Sequence, residues 1–138
     1  MPSSRSTPIF VISKIRWNIE LNLLLTRIAD LPERQAVLAT VHILQQGRCD
    51  WCRQPLTHNV TTEHVVRRSS AAFAQLPPPV RWLTLRLSHP LCNQAHNRWS
   101  QRHPTAAAAQ DALLAQIARS KVQNYCRQSS STLSDPAQ

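Results

Sequence analysis

The chain has 138 residues, 42% of them hydrophobic, with 16 Lys and Arg against seven Asp and Glu for a formal charge of +9. That length supports one compact domain with a modest core, of a size that a bound metal or partner often braces. A pI near 11 favours a polyanionic partner such as nucleic acid over a neutral metabolite. No apolar run approaches the roughly 20 residues of a membrane span, and Ile9 to Ile12 is too soon interrupted by Lys14 and Arg16 for a signal segment, so no membrane partner and a cytoplasmic setting are expected.

Residues 1–8 (MPSSRSTP) read as a disordered terminus. Residues 9–47 read as a helical region. Ile15, Ile19, Leu23, Leu24 and Ile28 recur at helical spacing and predict an amphipathic helix. A second helix is expected from Asp30 as N-cap, with Pro32 in the first turn, Glu33 closing a capping box, and Gly47, the chain's only glycine, as the stop.

From Cys49 to Pro55 the chain reads as a zinc knuckle, and Thr61 to Arg67 as a strand with Thr62, His64 and Val66 on one face and Glu63 and Val65 on the other. That alternation separates Glu63 from His64 unless the strand is bent or bulged. Residues 68–80, ending in Pro77-Pro78-Pro79, form a connection, and Trp82 to Leu87 form the expected second strand. A helix follows from Leu91 to about Arg102, closed by Pro104. The alanine-rich helix of 104–128 carries Leu113, Leu114, Ile117 and Tyr125 as its expected buried stripe, and 129–138 read as a disordered tail. Cys126 reads as an ordinary helix residue.

Four cysteines in a reducing compartment suggest metal ligands rather than disulfides. Structural zinc takes four Cys or His ligands, commonly as two short-spaced pairs, and Cys49 and Cys52 with His89 and Cys92 make such a set. His96, one helical turn after Cys92, is an alternative fourth ligand to His89.

A second constellation suits phosphodiester hydrolysis, which needs a base to activate water and a divalent cation to neutralise developing charge. His64 offers the base. Glu63 and Asn93 offer hard oxygen ligands, with His96 and Asn97 on the same helix face as Asn93. His42, His58 and His103 have no such neighbours. Arg67, Arg68, Arg81, Arg86, Arg98 and Arg102 flank these residues in sequence as candidate phosphate contacts. Trp82 and Trp99 suit either the core or base stacking.

Cys49-x-x-Cys52, Glu63-His64-Val65-Val66 and His89-Pro90-Leu91-Cys92-Asn93 together resemble the HNH endonucleases, over about residues 47–102. The resemblance implies an α+β fold: a small ββα-metal (His-Me finger) core at 48–103 with a structural zinc knuckle, flanked by N-terminal and C-terminal helices. It implies Cys49, Cys52, His89 and Cys92 on structural zinc, and His64 as general base. Glu63 and Asn93 would hold the catalytic divalent ion (Mg2+, Mn2+ or similar), with His96 as a third ligand or phosphate contact.

The expected function is metal-dependent cleavage of DNA in a bacterial, phage or mobile-element setting. The alternative is a non-catalytic DNA-binding or assembly module on the same zinc-braced fold, with a protein partner or a second copy as further candidates. Two departures stand out. Thr84 occupies the position near which the family has an Asn bracing the base, and Arg67-Arg68-Ser69-Ser70 replaces the usual Pro and Gly-rich loop.

Overall fold

A computed structural model describes residues 10–28 and 31–134 of the chain. Its elements, in order, are α1 (Lys14–Arg27), α2 (Arg34–Leu44), β1 (Thr61–His64), α3 (Ala71–Ala74), α4 (Pro78–Leu83), β2 (Leu85–Ser88), α5 (Pro90–Arg102) and α6 (Pro104–Ser134). The architecture is a small α+β fold. β1 and β2 form a two-stranded antiparallel sheet in which Thr61, Thr62, Glu63 and His64 face Ser88, Leu87, Arg86 and Leu85. The expected terminus at 1–8 lies outside the described residues.

α1 starts where Ser13 takes extended backbone and its Oγ accepts the Arg16 N–H at 3.0 Å. It is apolar on two faces, and the expected face is buried only in part, at Leu24 and Ile28. Trp17, Leu21, Leu24 and Leu25 enter the core, while Ile15, Ile19 and Leu23 are 73, 54 and 45% exposed. The indole decides the orientation: Trp17 is fully buried and its Nε1 donates to the Leu114 carbonyl at 3.0 Å, so the largest side chain gains both area and a partner.

α2 begins later than expected. Asp30 lies outside the described residues, and Glu33, in extended backbone, is itself the N-cap and makes no side-chain cap bond, so the predicted capping box does not form. The stop is as read: Gln46 and Gly47 follow in the left-handed region at φ 58° and 69°, and the Gly47 N–H donates back to the His42 carbonyl.

The segment expected as the second strand is split. Pro77 takes extended backbone as N-cap, and Pro78 and Pro79 fit the first turn, where proline loses no helical hydrogen bond. Residues 78–83 therefore wind into α4, with Val80 and Leu83 buried, and pairing starts only at Leu85. All four residues of β2 are buried. Gln45 secures it by accepting from the Leu87 N–H at 3.1 Å and donating to the Leu87 carbonyl at 2.9 Å.

α6 packs against α1, α3, α4 and α5. Its buried face is Ala107, Asp111, Leu114, Ala115, Ala118 and Val122, whereas Leu113 of the expected stripe is 39% exposed. Small alanines let the helix approach its neighbours, which is why they take the inner face. The helix continues through 129–134, where a disordered tail was expected; 135–138 lie outside the described residues. Among the described residues no helix is long and apolar enough to cross a membrane.

Candidate functional site

Two polar centres share the β1, β2 and α5 framework. The first is built on a tight loop. The Cys49 N–H donates to the Gln54 carbonyl at 2.9 Å, the Arg53 N–H returns to the Cys49 carbonyl at 3.0 Å, and Arg53 sits in the left-handed region at φ 65°. This turn places Cys49 and Cys52 opposite the start of α5, where His89 is the N-cap and Cys92 lies in the first turn. One ligand atom from each of Cys49, Cys52, His89 and Cys92 lies within 4.8 Å of the others, a cluster able to hold a structural metal ion such as zinc.

His89 is oriented for this role. Its Nε2 lies 3.0 Å from the Pro55 carbonyl, a partner that can only accept, so Nε2 carries the proton and Nδ1 is left unprotonated with its lone pair free to bind a metal. Nδ1 is 3.3 Å from Cys52 Sγ and 3.9 Å from Cys92 Sγ. Burial alone would raise the Cys49 thiol, but backbone N–H groups of Cys52, His89 and Trp51 outweigh it and hold it below its ordinary value. Burial, then the neighbouring Cys49 and Cys52 sulfurs, pushes Cys92 up to about 12. Three sulfurs this close ionise together only around a cation, so the donor set fits a soft divalent metal. His96 is not part of the cluster, which decides between the two histidines in favour of His89.

The second centre is a cavity of about 480 Å3 lined in part by Glu63, His64, Arg67, Arg68, Asn93 and His96. Glu63 and His64 both line it although both lie in the regularly paired strand; past His64 the chain bends, and Val65 and Val66, on opposite faces in an ideal strand, are both buried, at 1 and 0% exposure. The bend therefore follows the Glu63–His64 step, at which the alternation calls for a distortion, rather than falling within it.

Glu63 is 7% exposed, and its two oxygens differ. Oε1 accepts from Trp51 Nε1 at 2.9 Å and Ser88 Oγ at 2.7 Å. Among the described residues Oε2 has no hydrogen-bond partner, and it lies 3.3 Å from His96 Nδ1. A buried carboxylate oxygen without a donor is costly unless a cation completes it. Asn93 lines the same cavity. His96 is 2% exposed and wedged against Trp51 at 4.7 Å between ring centroids and Phe10 at 5.4 Å.

His64 Nδ1 lies 2.8 Å from Thr84 Oγ1, which donates its own proton to the Arg81 carbonyl at 2.8 Å. A hydroxyl has one proton, so Thr84 must accept from His64 Nδ1–H, and Nε2 is left unprotonated. Burial first, then the positive field of Arg68, pushes His64 down to about 4.

The arginines divide. Arg68 is exposed on the cavity rim. Arg67 lines the cavity and is tied to Asp111 of α6. Arg98 and Arg102 are exposed on α5 outside the cavity lining. Arg86 does not belong with them: it is 3% exposed, donates to the Leu83 and Leu85 carbonyls and Glu20, and lies 4.9 Å over the Trp17 ring. The sequence pattern hid this because β2 is covered on both faces. Arg81 also turns inward, donating to the Leu76 carbonyl at 2.7 Å. Trp82 and Trp99 are half-buried, and His42, His58 and His103 are exposed.

Sequence reasoning missed Thr84 as a partner of His64, Trp51 and Ser88 as partners of Glu63, and Asp111. Only Asp111 carried a signal: it is the single acidic residue between Arg102 and Ser134 and falls at core spacing with Ala107 and Leu114. Comparison of the chain with models of protein families, with curated proteins and with solved structures finds no match.

Proposed function

We propose that the protein is a metal-dependent DNA endonuclease of the HNH type, with zinc on Cys49, Cys52, His89 and Cys92 as its structural brace. The observation that carries this reading is the convergence of His64, Glu63, Asn93 and His96 on one cavity with two arginines at its edge. The three sequence motifs quoted above supply the resemblance. The +9 charge supports a polyanionic substrate.

His64 acts as general base: its neutral imidazole, fixed through Nδ1, removes a proton from water at Nε2 as the oxygen attacks phosphorus in line. The bond from phosphorus to the 3′ oxygen breaks, leaving a 5′-phosphate and a 3′-hydroxyl that takes its proton from solvent. Glu63 Oε2, Asn93 and His96 would hold the divalent ion, which when bound neutralises charge on the phosphate and the leaving oxygen. Arg68, Arg98 and Arg102 meet backbone phosphates on either side, contacts that position DNA without reading its sequence.

Nicking of supercoiled plasmid tests the reading. The zinc-loaded protein is expected to cleave with added Mg2+, Mn2+ or Ni2+ and to lose cleavage when no ion is added or when His64→Ala is introduced. A folded, zinc-loaded protein that leaves plasmid and branched DNA intact under all three ions would instead point to a non-catalytic DNA-binding or assembly module.

A further inference from the structure

Asp111 is 2% exposed in the middle of α6, a helix outside the span of the HNH-like motifs. It holds Arg67 at three points. Asp111 Oδ1 accepts the Arg67 backbone N–H at 3.1 Å, and Oδ2 accepts from Nε at 2.8 Å and pairs with Nη2 at 2.7 Å. The Arg67 carbonyl is fixed as well, accepting from Ser70 N–H at 2.9 Å and Ser70 Oγ at 2.6 Å. Backbone and side chain of Arg67 are thus both immobilised three residues beyond His64.

The guanidinium is nevertheless not used up. One edge faces Asp111, and Nη1 has no hydrogen bond among the described residues, while the side chain remains 24% exposed and lines the cavity with His64 and Glu63. A planar fork with one edge anchored and the other open suits a phosphate oxygen. Arg67 thus combines a buried anchor on α6 with a place in the lining of the cavity that holds His64.

We propose that Asp111 is a positioning residue that aims Arg67 at the phosphate being cleaved, so that the C-terminal helix is part of the active site. This rests on the nuclease reading for its kinetic consequence, while the phosphate contact stands or falls by binding alone. Anchoring removes the rotamer freedom that a free arginine would lose on each encounter, and small displacements of such a group cost about 10- to 100-fold in rate.

The test uses the full zinc-loaded chain in two arms. In the first, affinity for a short duplex is measured against salt with no catalytic ion added. Arg67→Gln is expected to reduce the slope of log affinity on log salt by about one, and Asp111→Asn, which keeps the arginine, to leave it nearly unchanged. In the second arm, plasmid cleavage per folded molecule should fall about 10- to 100-fold in Asp111→Asn with little change in KM. Arg67→Lys should fall likewise, because an ammonium satisfies Asp111 or a phosphate but not both.

An Arg67→Gln slope equal to wild type overturns the phosphate contact. Wild-type cleavage by folded Asp111→Asn overturns its positioning role, and Arg67→Lys decides the same point if Asp111→Asn does not fold. If the wild type itself never cleaves, the nuclease reading fails, and with it the kinetic arm, while the slope still decides where Arg67 binds.

Discussion

Thr84 Oγ1 sits 2.8 Å from His64 Nδ1 and passes its own proton to the Arg81 carbonyl, so one hydroxyl fixes the tautomer of the imidazole in the cavity. Thr84 is fully buried at the C-cap of α4, whose formation brings the hydroxyl to this point. Where the resemblance expects an Asn to brace the base, this chain reaches His64 directly. Thr84→Val keeps the shape and removes the hydroxyl. It is expected to lower cleavage about 100-fold, within the range of lost acid–base catalysis, and stability by about 1 kcal/mol. Thr84→Ser should restore most of both. Plasmid nicking by Thr84→Val at the wild-type rate would sink the tautomer argument.

The protonation of His64 follows a definite sign. Burial and Arg68 lower it from 6.5 to about 4, so the folded protein keeps it neutral where an ordinary histidine titrates. The unfolded chain takes up this proton below about 6.5 and the native state does not. The contribution to stability is therefore fully present above that value and is lost as pH falls from there towards 4. Histidine proton NMR of the zinc-loaded protein without catalytic ion should show His64 unshifted between about pH 5.5 and 7.5. A midpoint within that window would contradict the account. Cleavage should likewise stay level on acidification through the ordinary histidine range.

Metal release separates the two histidines near Cys92. The structure assigns His89, held by the Pro55 carbonyl, to the cysteine cluster and leaves His96 beside Glu63. Purified protein is expected to carry one zinc per chain, freed by a mercurial thiol reagent with loss of cooperative unfolding, because binding energy at such a site is folding energy. Cys49→Ser and His89→Ala should lower zinc content and thermal stability. His96→Ala should keep the zinc. Retention of full zinc by His89→Ala would show the fourth ligand to be elsewhere.

The Cys49, Cys52, His89 and Cys92 cluster and the residues of the polar cavity were legible because short-spaced ligand pairs and a carboxylate beside a histidine are local patterns that survive any packing. Which face of a helix is buried was not legible for α1, since Ile15, Ile19, Leu23 and Trp17, Leu21, Leu24 satisfy the same period. A long-range bond from Trp17 to Leu114 chose between them. The split of the second strand was hidden for a similar reason: Trp82 to Leu87 alternates well, but the three prolines before it favour a helical start over early pairing. Thr84 stood out only as a departure at the bracing position; that its hydroxyl reaches His64, 20 positions away, depends on the packing of α4 and was not legible. Asp111 could have been found, since a lone carboxylate at core spacing demands a buried cation.

Arg86 offers a sharp check on how the positive charge is divided. With its guanidinium spread over Trp17 and bonded to the Leu83 and Leu85 carbonyls, Arg86 stabilises the junction of α1 and β2 rather than DNA. Arg86→Ala removes a buried stem and leaves those carbonyls and Glu20 short of a donor. It is expected to cost about 2–4 kcal/mol in denaturant unfolding. Arg98 and Arg102 are exposed on α5, so replacing each by Ala should change stability by less than about 0.5 kcal/mol. Each replacement should lower the salt slope of duplex binding by about 0.9 if it removes one phosphate contact. Below its unfolding transition, Arg86→Ala should leave that slope unaltered. A reduced slope for folded Arg86→Ala, or an unchanged one for the Arg98 and Arg102 variants, would reverse the assignment and put the DNA path across the sheet instead of along α5.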